Sequence, residues 1–196
     1  MIGVLLRAAA LGGAALLTQT VFAADIEAGR KKAETCVACH GANGNSTNPI
    51  WPSLAGQPAQ FISTQLYFYR EGNRKDALMS PLAANLSNTD MNDLAAYFSA
   101  QKPSTAPARI AAEKAAAGQQ VATEFKCNVC HGAALMGVQH IPRLAGQQAE
   151  YLRTQLKGFK AQTRFDMDGN MTSATRLLTP EHIDLLADYL ASLGTP

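Results

Sequence analysis

The chain has 196 residues, 47% of them apolar and 16% charged, which is enough apolar material for a core and unlike a disordered composition. Seventeen basic residues against fifteen acidic ones leave a formal net charge of +2 with no basic block, so nucleic-acid binding lacks its electrostatic footing. Four cysteines are too few for a disulfide scaffold.

Near the N-terminus, Arg7 precedes an apolar run from Ala8 to Leu17, and a polar break leads to Val21-Phe22-Ala23-Ala24. A positive start, a short apolar stretch and small residues at a cut site describe a secretory signal over residues 1–23, with cleavage after Ala23. The run is shorter than the ~20 residues of a spanning helix. The mature protein is therefore expected in the periplasm, without a transmembrane segment.

The remainder of the chain is one unit written twice. Cys36-Val37-Ala38-Cys39-His40-Gly41 recurs as Cys127-Asn128-Val129-Cys130-His131-Gly132, and Pro52-Ser53-Leu54-Ala55-Gly56-Gln57 as Pro142-Arg143-Leu144-Ala145-Gly146-Gln147. Thr64-Gln65-Leu66 recurs as Thr154-Gln155-Leu156, and Met79 as Met171, each seven residues before a Leu-Ser or Leu-Thr pair. The expected units are residues 25–101 and 110–196, joined over 102–109 by a linker with two prolines and small polar residues.

The periodicity inside each unit is helical. A first helix should end at each Cys-x-x-Cys-His. A middle helix should start near Pro58 and near Gln148, carrying Phe61, Ile62 and Leu66 or Tyr151, Leu152 and Leu156. Ser87 with Asp90 three residues on reads as a cap before the face Met91, Leu94, Phe98. Thr179 caps its repeat mate, with Pro180 in the first helical position and Ile183, Leu186 and Leu190 on the face. No strand alternation is convincing, so the fold class is all-α. Units this small need a staple or a large apolar ligand to be comfortably stable.

Cys-x-x-Cys-His supplies one, because it is the attachment pattern of c-type haem. Two thiols three residues apart, over one helical turn, can reach both vinyl groups on one porphyrin edge. The adjacent histidine can then point at the iron from the same face. A thioredoxin-like pair lacks its βαβ context, and a single zinc site would join cysteine pairs 91 residues apart and leave both histidines unexplained. Two covalent haems are expected, held by Cys36 and Cys39 and by Cys127 and Cys130.

On these repeats, with Gly72-Asn73-Arg74 and Leu94-Ala95-Ala96-Tyr97-Phe98 in the first half and Leu185-Leu186-Ala187-Asp188-Tyr189 in the second, the chain from about residue 25 to 196 resembles the di-haem cytochrome c4 family. Two features depart from the pattern. Gln162-Thr163-Arg164 stands for Gly72-Asn73-Arg74, and Gly118 lies nine residues before Cys127 where Gly29 lies seven before Cys36. The resemblance implies two tandem helical cytochrome c domains related by a pseudo-two-fold axis, each wrapped around one haem, with propionates near the interface. It also implies that the carbonyls of Pro52 and Pro142 accept from the second ring nitrogen of the haem histidines. The implied role is that of a monomeric electron carrier rather than an enzyme, with partners such as a quinol–cytochrome c reductase and a terminal oxidase. An electron-delivery subunit of a periplasmic dehydrogenase, and a di-haem peroxidase with one open iron, are the alternatives.

The distal ligand separates carrier from catalyst. Met79 lies in a Ser/Pro-flanked loop 39 residues after His40, and Met171 lies 40 residues after His131. Met91 sits on a core face, Met136 is too close to His131 to reach the opposite haem face, and His140 and His182 have no repeat support. Met167 is the rival of Met171, four residues away. The expected axial pairs are His40/Met79 and His131/Met171. Thioether sulfur favours the ferrous state and so a high reduction potential. Arg70, Arg74, Arg143 and Arg164 are candidate propionate partners.

Overall fold

The computed structural model describes residues 23–103 and 108–195. The expected signal segment, apart from Ala23, and residues 104–107 of the expected linker lie outside the described residues. In the first half, α1 (Ile26–Lys32) runs through a 3-10 turn (Ala33–Cys36) into α2 (Val37–His40). A second 3-10 turn spans Ala42–Gly44, and α3 (Ala59–Arg70), α4 (Met79–Ala83) and α5 (Asn88–Ser99) complete the half. The second half repeats the order with α6 (Ala112–Glu124), α7 (Cys127–His131), α8 (Ala149–Lys160), α9 (Asn170–Thr175) and α10 (Pro180–Ser192). Among the described residues there is no β-strand, only an isolated bridge between Val138 and Ile141.

Local chemistry explains the main boundaries. Asp25 caps α1 by accepting from Glu27 N and Ala28 N. The Ser87 hydroxyl accepts from Asp90 N while the Asp90 carboxylate accepts from Ser87 N, a complete capping box at α5. Thr179 and His182 make the same exchange at α10, with Pro180 in the first turn. The faces Met91/Leu94/Phe98 and Ile183/Leu186/Leu190 are buried, each in its own half.

The first and last helices of each half cross so closely that only glycine fits. A Cβ on Gly29 would sit 2.0 Å from Asp93 O, and one on Gly118 would sit 2.4 Å from Tyr189 Cβ. The two glycines are thus equivalent despite their different spacing from the cysteines. The second half absorbs its extra residues by extending α6 to Glu124 and turning at Lys126, whose φ of 55° is left-handed. Likewise Gln162 (φ 56°) adopts the left-handed turn that Gly72 (φ 74°) makes in the first half.

The two halves meet through their Leu-Ala-Gly-Gln turns. Gly56 N donates to Phe98 O and Gly146 N to Leu190 O, which ties each turn to the end of its own last helix. Each turn then offers its glutamine to the other half. Gln57 spans the backbone N and O of Arg143, and Gln147 spans those of Ser53. This reciprocity is that of a pseudo-two-fold pair.

Candidate haem-binding sites

Each Cys-x-x-Cys-His motif forms a short helical segment that ends at its histidine and is stopped by a glycine at positive φ, Gly41 at 76° and Gly132 at 81°. His40 and His131 are 6% and 4% exposed. His40 Nδ1 lies 2.8 Å from Pro52 O, and His131 Nδ1 lies 2.9 Å from Pro142 O. A carbonyl can only accept, so Nδ1 carries the proton and Nε2 keeps its lone pair. Burial pushes both imidazoles down, against the opposing pull of the proline carbonyls, and favours the neutral, ligating form.

No disulfide joins Cys36, Cys39, Cys127 and Cys130. Burial pushes the thiols of Cys36 and Cys127 up. Among the described residues no group of three or more His, Cys, Asp or Glu side chains is placed to hold a metal ion.

Met79 and Met171 are half-buried, while Met167 is 58% exposed. Met79 is not in a loop as expected but is the first residue of α4. Asp76 Oδ1 accepts from Leu78 N and from Met79 N, the latter at 2.8 Å, which satisfies open donors of that turn. Asp166 Oδ2 accepts from Met171 N, also at 2.8 Å. A carboxylate thus anchors the backbone of each methionine, a feature sequence reasoning missed although Asp76 and Asp166 lie three and five residues upstream. Met91 is buried and Met136 packs on the second core. His182 caps α10 with its ring 5.3 Å from that of Phe125, and His140 lies 4.0 Å from Asp168.

The residues present fit a haem in each half. Leu78 and Leu82 beside Met79, and Phe165 and Leu177 on either side of Met171, are exposed apolar side chains that a porphyrin would cover. At the domain boundary Arg74 donates to Gln65, Gln155 and the Tyr151 hydroxyl, and Arg164 donates to Gln155 and Gln65. All these partners are neutral, and Arg164 Nε is buried with no partner among the described residues. Burial and the like charge of Arg74 push Arg164 down to about 10. Paired guanidiniums without a carboxylate suit an anionic group such as a propionate. Arg143 is fully buried and donates to Ala55 O and Ala145 O, with its Nε also unpartnered among the described residues, and Arg70 bonds Glu71 and Leu86 O.

The model of the cytochrome c family matches the chain twice, at residues 26–102 and 115–194. The chain belongs to the cytochrome c family, in its two-domain cytochrome c4 branch. Cytochrome c4 of Pseudomonas aeruginosa is 36% identical over 181 residues, which cover 87% of this chain and 90% of that protein. The thiosulfate dehydrogenase electron acceptor of Thiomonas intermedia is 36% identical over 82% of this chain and 79% of its own length. The crystal structure of reduced recombinant cytochrome c4 from Pseudomonas stutzeri superposes with a TM-score of 0.79 at 32% identity, covering 88% of this chain and all of that one. As a member of this branch, the protein carries two covalent c-type haems, one per domain, and is an electron carrier.

Proposed function

We propose that the protein is a monomeric periplasmic carrier that takes electrons from a respiratory donor, such as a quinol–cytochrome c reductase, and passes them to an acceptor such as a terminal oxidase. Cys36 and Cys39, and Cys127 and Cys130, hold the two haems, and His40/Met79 and His131/Met171 fill the axial positions. The observation that carries this reading is the duplicated histidine geometry, with Nδ1 engaged by a proline carbonyl and Nε2 left with its lone pair in both halves. Haem bound there supplies a one-electron ferric/ferrous couple. Pro52 and Pro142 hold each imidazole in one tautomer and orientation. Asp76 and Asp166 fix the backbone from which each methionine side chain extends, and the buried helical cores keep water from the histidines. The Gln57 and Gln147 contacts bring the two proline turns that hold the histidines to one boundary, which suits electron exchange within the molecule.

The domains are assigned to residues 25–101 and 110–196, with 102–109 as linker. Its described ends are pinned, Pro103 close over Gly56 and Ala108 N donating to Ala191 O. Export with cleavage after Ala23 rests on Arg7, the apolar run Ala8 to Leu17 and the small residues at Ala23-Ala24. Among the described residues no helix is long and apolar enough to cross a membrane. Similarity to the Thiomonas intermedia protein favours a second reading, in which the donor is a periplasmic dehydrogenase.

The ligand assignment is tested by the red-region sulfur-to-iron band of the ferric protein. It should be present, and should halve in Met79→Ala and likewise in Met171→Ala, while the potential of the altered haem falls. A band halved in Met167→Ala and kept whole in Met171→Ala would contradict the second-domain assignment.

A further inference from the structure

The carbonyl that accepts from each haem-site histidine belongs to a peptide whose other end is engaged by the opposite domain. In the first domain, the Pro52–Ser53 peptide accepts from His40 Nδ1 through its oxygen at 2.8 Å and donates its N–H to Gln147 Oε1 at 2.8 Å. In the second, the Pro142–Arg143 peptide accepts from His131 Nδ1 at 2.9 Å and donates to Gln57 Oε1 at 2.9 Å. Each glutamine closes a two-bond clamp by donating Nε2 to the next carbonyl, Ser53 O or Arg143 O, at 2.9 Å. Only one orientation of each amide satisfies both bonds, which fixes Oε1 on the N–H. Gln57, Gln147, Ser53 and Arg143 are all buried, so these bonds are shielded from water.

Hydrogen bonds in a chain polarise one another. A peptide that donates its N–H carries more negative charge on its oxygen, and the effect is larger in a water-free interior. A more negative Pro52 oxygen draws the His40 Nδ1 proton more strongly and makes the imidazole a better electron donor through Nε2. A more electron-rich axial ligand favours the ferric state. The equivalent chain of bonds runs from Gln57 to His131.

We propose that Gln57 and Gln147 are positioning residues that act in trans: each tunes the iron site of the opposite domain through the proline peptide that holds the opposite histidine. The inference rests on the axial roles of His40 and His131 proposed above. It gives the repeated Leu-Ala-Gly-Gln turn a function beyond packing, since the potential of each domain then depends on its docked neighbour.

The test uses the full-length holoprotein with Gln147→Met and Gln57→Met, reading the two potentials separately through the hyperfine-shifted haem methyl signals. In Gln147→Met the first-domain potential should rise, the His40 Nδ1 proton signal should shift, and the second-domain potential should move much less. Gln57→Met should give the mirror image. A shift confined to the domain that carries the substitution, or equal shifts in both, would overturn the proposal. Loosening of the interface is separated by Gln147→Glu, which keeps an acceptor for Ser53 N–H but loses the donor to Ser53 O. Its first-domain potential should lie at or below that of the unaltered protein, and a rise matching that of Gln147→Met would also overturn the proposal. The axial reading fails separately, if His40→Ala retains a low-spin ferric first-domain haem.

Discussion

In the first domain the residue after the histidine-bearing proline is Ser53, and in the second it is Arg143. Both are buried at the domain boundary and both give their backbone N–H and C=O to the other domain's glutamine. The side chains do different things. Ser53 Oγ accepts from Ser46 N within its own domain, whereas Arg143 reaches Ala55 O across the boundary. At this position the backbone makes the shared contact and the side chain is free to differ. At Gly29/Gly118, His40/His131 and Gln57/Gln147 the side chain itself, or its absence, is what the contact requires.

The equivalence of the halves is most vulnerable at the helix crossings. Gly29→Ala puts a methyl 2.0 Å from a backbone carbonyl of α5, and should destabilise the first domain by about 3 kcal/mol. Gly118→Ala meets Tyr189 Cβ and Leu185 O at 2.4 and 2.6 Å, and should cost the second domain somewhat less. Denaturant unfolding followed through haem absorbance would show each variant moving the transition of its own domain. Equal loss from both would contradict separate cores.

A feature found in one half alone gives a smaller effect. In the second domain Arg153 on α8 binds Asp184 and Asp188 on α10 and Glu150 on its own helix, while Lys114 on α6 reaches Asp188. The corresponding position on α3 is Ser63, whose hydroxyl bonds within its own helix, to Gln60 O. Arg153→Ala should therefore cost about 2 kcal/mol, since it leaves a largely buried Asp188 with Lys114 alone. Ser63→Ala should leave the first domain nearly unchanged. Thermal unfolding of the two variants checks the contrast.

The smallest expected effect is at the caps. Ser87→Ala removes half of the capping box and should cost about 1 kcal/mol. Its partner Asp90 is held down at about 2, first by Lys32, which bonds it at 2.7 Å, and then by the Ser87 backbone N–H. A carboxylate whose folded pKa is depressed stabilises the fold above its ordinary value near ~4 and loses that contribution as pH falls toward the folded one. The first domain should therefore lose stability on acidification from about pH 4 to about pH 2, and Asp90→Asn should flatten that stretch of the curve. The second domain, with His182 at this position, lacks this contribution. Unfolding midpoints of both domains between those pH values test the contrast.

The helices are legible in the sequence because their signals are local. Caps at Ser87 and Thr179, starts at Pro58 and Gln148, and apolar faces at helical spacing all lie within single segments. The Cys-x-x-Cys-His repeats are legible for the same reason. The helical start at Met79 is not, because the decisive bonds from Asp76 compete with the turn character of Ser80-Pro81. The boundary cluster of Arg74, Arg164, Tyr151, Gln65 and Gln155 is not legible either. Its members come from two domains, and no periodicity within one segment records a partner in another. Tyr151 reads as part of an apolar helical face, yet its hydroxyl accepts from Arg74 across the boundary. The exchange of Gln57 and Gln147 is hidden in the same way inside a motif whose repetition is plain.

If both irons are closed by a histidine and a methionine, the protein is a carrier rather than a catalyst with an open site. Stopped-flow carbon monoxide binding to the fully reduced protein is the decisive measurement. Binding should be slow and of low amplitude at both haems, because each must first release Met79 or Met171, and it should become fast at one haem alone in Met79→Ala or Met171→Ala. Rapid, full-amplitude binding at either haem of the unaltered protein would contradict the closed-site assignment.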